Sequence, residues 1–240
     1  MSFAGKLIQI YFDLAYNPVY DFIVARLNRY QELQRRCVGK LEFKDMNKVL
    51  CVGLGTGNEI YHILQANTNV NIIGIDFSRT ALRKAYKKAL RLEKEIKVHV
   101  MNAKWLEFTN ASFDKVVCLH VMDFVDDIDK ATSEILRVLK EGGQFVITYP
   151  SDREGLRLGF NLVSDNISQP TDSGKHRIRV LLESMSQMLV GIVYLPLLLR
   201  PKRKSYLRGE LEVMITGLTR RCFEIEEDPV YQDFIVYGRK

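Results

Sequence analysis

The chain has 240 residues, 47% of them hydrophobic and 27% charged, with 35 Lys and Arg against 29 Asp and Glu for a formal net charge of +6 at pH 7. This length suits one well-buried core, and the balance excludes a disordered or fibrous chain. The charge favours an anionic partner such as a nucleic acid, a membrane surface or an acidic substrate, or else is simply a basic solvated face.

Residues 1–20 have only Lys6 as a basic flank and carry Asp13 inside their apolar stretch, so no cleaved signal peptide is expected. Leu7, Ile10, Tyr11, Leu14 and Ala15 fall on one helical face and a second helix is predicted from Val19 to Cys37, making residues 1–41 a helical cap. Short β-branched runs then alternate with helical stretches through residues 48–150, the pattern of a parallel sheet covered by helices. Strands are predicted at Lys48–Val52, Asn71–Ile75, Lys97–Met101, Lys115–Leu119 and Gly143–Tyr149. Helices are predicted at Ser78–Leu92, with Ser78 as N-cap, and at Asp127–Leu139, ending before Gly142 and Gly143.

Residues 151–205 form an insertion too long to be structureless inside a compact domain, so a helical lid is predicted. Its apolar run Met188–Leu199 is interrupted by Pro196 and shorter than the ~20 residues that span a bilayer. Leu181, Leu182, Met185, Met188, Leu189, Ile192, Val193 and Leu195 precede Arg200, Lys202, Arg203 and Lys204. An apolar stretch with a basic end suits peripheral contact with an anionic membrane or a greasy acceptor. The bland alternative is a lid face packed on the core or on a second copy in a homodimer. Residues 206–240 close the chain with a helix at Tyr206–Arg221 and an antiparallel hairpin within Cys222–Lys240.

Cys37, Cys51, Cys118 and Cys222 lack paired spacing and read as reduced, buried thiols of a cytoplasmic protein, with no metal site expected. The strongest motif is Val49-Leu50-Cys51-Val52-Gly53-Leu54-Gly55-Thr56-Gly57-Asn58, a strand running into a glycine turn and a helix. Glycine permits the tight turn and lets a ligand approach the backbone, while the helix start offers free amide donors. Asp76 ends the second strand nineteen positions after Gly57, where an acid accepts hydrogen bonds from ribose hydroxyls. Capping of the next helix by Asp76 and Ser78 is the plainer reading, and the two roles are compatible.

With these residues the chain resembles the class I S-adenosylmethionine-dependent methyltransferases, especially their small-molecule, lipid and quinone branch. Val49 to Gly57 looks like the family's first motif, Gly74-Ile75-Asp76-Phe77-Ser78 its second, Phe113 to Cys118 its fourth strand, and Leu136 to Gly143 the helix and turn before strand five. The resemblance covers residues 48–150 firmly and the C-terminal hairpin loosely. It implies an α/β Rossmann-like sheet of mainly parallel strands, helices on both faces, and S-adenosylmethionine as cofactor. It also implies that Gly53, Gly55 and Gly57 pack against the methionine and ribose, that Asp76 holds the ribose, and that Asn102 and Ala103 meet the adenine. His120 would sit at the pocket mouth. Cys51 replaces the Asp or Glu usual in the first motif, leaving Glu59 or Asp123 as substitute carboxylates, and Glu141 stands where Pro is common.

A nicotinamide-dependent dehydrogenase would need glycine where Asn58 stands, so the turn fits methyl transfer better. Asn17-Pro18-Val19-Tyr20 looks like a motif of nucleic-acid amino-methyltransferases but precedes the first strand, and is read as coincidence. Methyl transfer is an in-line displacement, so a base is needed only if the acceptor must lose a proton. Candidate bases are His120, Tyr11, Tyr16, Tyr20 and Tyr149, each also readable as a structural residue or a substrate contact. The expected activity is methylation of a hydrophobic small molecule. The alternatives are a methyltransferase-like binding protein without turnover, suggested by Cys51, and a nucleic-acid methyltransferase, suggested only by the charge.

Overall fold

A computed structural model describes residues 28–151, 205–219, 222–229 and 233–240, together with Ile10, Tyr11, Asp13, Leu14, Asn17, Asp21 and Val24. In chain order the elements are α1 (Asn28–Val38), β1 (Lys48–Val52), α2 (Asn58–Ala66), β2 (Asn71–Asp76), α3 (Arg79–Arg91), β3 (Lys97–Val100) and β4 (Phe113–Cys118). After a 3-10 turn at Met122–Phe124 come α4 (Ile128–Val138), β5 (Leu139–Tyr149), α5 (Arg208–Leu218), β6 (Phe223–Glu227) and β7 (Phe234–Arg239).

The seven strands form one sheet in the order β3-β2-β1-β4-β5-β7-β6. The pairs β1–β2, β1–β4, β2–β3 and β4–β5 are parallel, while β7 runs antiparallel to both β5 and β6. The sheet is therefore Rossmann-like with a closing antiparallel hairpin, as the sequence led us to expect. The chain leaves β1 in one direction and returns to β4 on its other side, so a crevice opens where the strand order reverses.

Strand alternation divides the core between the two faces. Leu50, Val52, Val116, Phe145 and Ile147 point to one side with Ile135 of α4 and Leu211 and Ile215 of α5. Val49, Cys51, Ile72, Val117 and Val146 point to the other with Leu33 and Cys37 of α1, Ile60 and Ile63 of α2, and Ala85 of α3. Burying each of the larger side chains contributes on the order of 1.5–3 kcal/mol of transfer free energy.

Two helix starts follow the predicted capping: Ser78 Oγ accepts from the Ala81 amide at 3.1 Å, and an Asp127 carboxyl oxygen from the Lys130 amide at 3.0 Å. The helix predicted to Leu139 ends at Val138, because Leu139 is already fully buried and pairs with Phe113. Regular pairing resumes at Lys115 and Gln144, so the Gly142–Gly143 turn lies within an irregular stretch of β5. α5 is shorter than predicted; its buried residues are Leu211 and Ile215, while Leu207 and Leu218 stay exposed.

Cys37, Cys51 and Cys118 are buried thiols, but Cys222, expected to be buried, is exposed just ahead of edge strand β6. In the N-terminal region Ile10 and Leu14 are exposed. The predicted lid at 152–204, its basic cluster, and Tyr16 and Tyr20 lie outside the described residues. No helix among the described residues is long and apolar enough to cross a membrane.

Candidate functional site

A cavity of about 500 Å³ opens at the carboxyl ends of β1, β2, β3 and β4. Its floor is the turn from Gly53 to Gly57, its flanks are Asp76–Ser78 and Met101–Trp105, and Leu119–Val121 completes it beside β4. Tyr30 and Gln34 reach it from α1, and Asn58 and Glu59 from α2.

The glycines do different work. Gly53, Gly55 and Gly57 all have positive φ, at 68°, 54° and 78°. A Cβ on Gly53 would lie 2.1 Å from Val121 Cγ2, and one on Gly57 would lie 2.7 Å from Ile60 Cδ1 and 2.9 Å from Ala85 Cβ. Gly55 alone faces open space, its nearest neighbour being Gly53 O at 3.9 Å. Gly53 and Gly57 thus let the chain pack, while Gly55 leaves bare backbone toward the cavity.

Asp76 is buried and braces this turn: Oδ2 accepts from the Gly55 amide and Oδ1 from the Ser78 amide, both at 2.8 Å. Ser78 caps the following helix, while Asp76 holds the Ser78 amide and lines the cavity. Burial pushes its carboxyl up to about 6, against the opposing pull of those backbone amides. Above it, Asn17 donates to Ser78 Oγ at 2.9 Å and lines the cavity, so the residue dismissed with its sequence motif contributes to the wall.

Of the adenine-side pair, Asn102 is exposed and Ala103 buried, and both line the cavity; Asn102 Oδ1 accepts from the Lys104 amide at 2.9 Å. Beside them Trp105 is 60% exposed, with Lys104 Nζ 4.8 Å from its ring centre and 2.6 Å from Asp126. Sequence reasoning missed Trp105, although the chain's only tryptophan so close after a strand was a usable signal.

Four elements or loops hold His120. Following β4, it has φ 55°, its amide donates to Thr148 Oγ1 of β5 at 2.7 Å, and its ring lies 5.0 Å from that of Tyr30 on α1. Its Nδ1 is 3.0 Å from Asp233 Oδ2, a buried carboxylate just before β7. Asp233 was also missed, since pairing across the fold leaves no local pattern.

Of the other candidate bases, Tyr11 and Tyr149 are described, and neither lines the cavity. Tyr149 is fully buried in the core beside α4, its hydroxyl 3.0 Å from that of Thr132, and burial holds its ionisation well above the usual range. Strand alternation, invisible in a bare position count, turned it inward. Tyr11 is half-buried, its ionisation raised by burial, and it does not line the cavity. Of the two proposed substitute carboxylates, Glu59 lines the cavity and Asp123 does not. Burial pushes Glu59 up to about 7.

Comparisons of sequence and fold relate the chain to known methyltransferases. Residues 50–147 match the model of a family described as a methyltransferase domain. The chain is 30% identical over 131 residues to a phosphatidylethanolamine N-methyltransferase of Cereibacter sphaeroides, covering 54% of this chain and 62% of that one. It is 30% identical over 148 residues to a ubiquinone/menaquinone biosynthesis C-methyltransferase of Geotalea daltonii, covering 60% and 63%. The chain thus spans less than two thirds of these relatives' lengths. Among solved structures, an S-adenosylmethionine-dependent methyltransferase from Thermotoga maritima superposes with a TM-score of 0.61 at 16% identity, covering 96% of this chain and 98% of that one.

Proposed function

We infer that this chain, whose residues 50–147 match a methyltransferase-domain family, transfers a methyl group from S-adenosylmethionine to a hydrophobic small-molecule acceptor of lipid or quinone character. The observation that carries this reading is the union of the open glycine at Gly55 with the buried carboxylate of Asp76. These residues fit the cofactor. Gly55 leaves its backbone uncovered, and the amides of Gly55, Phe77 and Ser78 occupy three of the roughly four acceptor sites of the Asp76 carboxylate, leaving one for a ribose hydroxyl.

When bound, the cofactor supplies an electrophilic methyl on a sulfonium. The chain's own residues would position it: Asp76 would accept from the ribose, while Met101, Ala103 and Trp105 would offer an apolar and aromatic wall to the adenine. Rate then comes mainly from alignment of acceptor, methyl and sulfur. Where the acceptor carries a proton, His120 takes it, with Asp233 fixing the imidazole.

Lipid and quinone acceptors are suggested by the two relatives named above, whose own substrates are of those kinds. An anionic membrane surface or a second copy of the chain is the partner that the apolar-then-basic sequence of residues 181–204 suits. Incubating the protein with methyl-labelled S-adenosylmethionine and a lipid extract, followed by mass spectrometry, tests this. Label in an apolar product supports the reading, and cofactor binding without any labelled product favours the non-catalytic alternative suggested by Cys51.

A further inference from the structure

We propose that Gln34, Asn58 and Glu59 form a pocket for the zwitterionic amino-acid end of the cofactor, in place of a strand carboxylate at Cys51. This rests on the methyl-transfer reading above.

Gln34 on α1 and Glu59 on α2 are 4% and 6% exposed, and both line the cavity with Asn58. Gln34 Oε1 and Asn58 Nδ2 are buried polar atoms with no hydrogen-bond partner among the described residues. Among the described residues, the hydrogen bond that lowers the Glu59 carboxyl comes from its own backbone amide. Buried polar atoms are ordinarily satisfied, and leaving one bare is costly, so a group of them around one cavity points to a ligand.

Their polarity identifies that ligand. Gln34 Oε1 and the Glu59 carboxylate are acceptors, matched by an ammonium with three N–H donors. Asn58 Nδ2 is a donor at the start of α2, where backbone amides and the helix dipole also favour an anion. The Asn58 amide orientation is fixed, because its Oδ1 accepts from Lys88 Nζ and an ammonium can only donate. Two acceptors and one donor suit an α-ammonium beside its α-carboxylate.

The groups acting on Glu59 are Lys88 of α3, Asp76 of β2 and His120 after β4, with the thiols Cys51 of β1 and Cys118 of β4 also near it. Burial holds the free carboxyl near 7, and a bound ammonium favours its ionised form. Binding below pH 7 therefore releases a proton, and affinity falls as the solution is acidified.

Calorimetric titration with S-adenosylmethionine, S-adenosylhomocysteine and 5′-methylthioadenosine isolates this effect. The second lacks only the sulfonium; the third lacks the amino-acid end but keeps the ribose on Asp76. From pH 7.5 to 5.5 the first two should lose about twentyfold more affinity than the third. Glu59→Gln should abolish that excess and Gln34→Met should weaken S-adenosylhomocysteine about tenfold while sparing methylthioadenosine, a loss typical of one hydrogen bond to a charged group. Melting curves confirm that both variants fold. Equal pH dependence for all three ligands, or an excess that survives Glu59→Gln, overturns the pocket and leaves methyl transfer standing. Failure of the wild type to bind any of the three overturns both.

Discussion

Asp76 accepts a hydrogen bond from the Gly55 amide at 2.8 Å, so the acid ending β2 and the glycine turn after β1 are one unit. Asp76→Ala should weaken S-adenosylmethionine by about 1.5–3 kcal/mol, the scale of hydrogen bonds to a charged group. Asp76→Asn keeps an acceptor for the turn and should lose less. Melting with and without cofactor measures both; undiminished cofactor stabilisation in Asp76→Ala would mean that the carboxylate only braces the turn.

The glycines should separate binding from stability. Gly57→Ala places a methyl against Ile60 and Ala85 and should lower the melting temperature. Gly55→Ala meets no close neighbour, so it should cost only the ~1 kcal/mol of a left-handed residue while blocking the cofactor's approach. Equal loss of affinity and stability in both variants would refute this division.

The buried carboxyls set a pH dependence of stability. Glu59 and Asp76 are raised by burial to about 7 and about 6, so the folded chain keeps protons that the unfolded chain has released. Their contribution is complete below pH 4 and is lost as pH rises through 6 to 7. The paired acids Glu134 and Glu226 are shifted downward and act at lower pH. The ligand-free protein should therefore melt lower at pH 8 than at pH 5.5. Glu59→Gln should be more stable than wild type at pH 8, by about 2 kcal/mol. Destabilisation at that pH would show that the carboxylate is favourably paired.

His120→Gln should lower kcat by about 10²–10⁴ for an acceptor that loses a proton, with cofactor affinity nearly unchanged. Asp233→Asn should also lower kcat for such an acceptor, because the imidazole loses the carboxylate that orients its ring. Unaltered kcat in His120→Gln would remove the base from the mechanism.

Much of this was legible from local pattern. β1, β2, Gly53–Gly57 and Asp76 share a short stretch whose periodicity and spacing carry the information. Tyr149 was misread because a position near a strand's carboxyl end does not say which face it takes, and its face is the packed one toward α4. Gln34, Tyr30 and Asp233 enter the site from α1 and from the segment before β7, brought there only by tertiary packing. Glu59 was legible only as a possible replacement for Cys51; that it lines the cavity and Asp123 does not is set by the fold.

Equilibrium binding of S-adenosylmethionine tests the central claim most directly. The account predicts saturable one-to-one binding to the purified chain, displaced by S-adenosylhomocysteine, untouched by NAD, and weakened at least tenfold by Asp76→Ala, the equivalent of about 1.4 kcal/mol. Absence of binding at millimolar cofactor, or displacement by NAD, would contradict it.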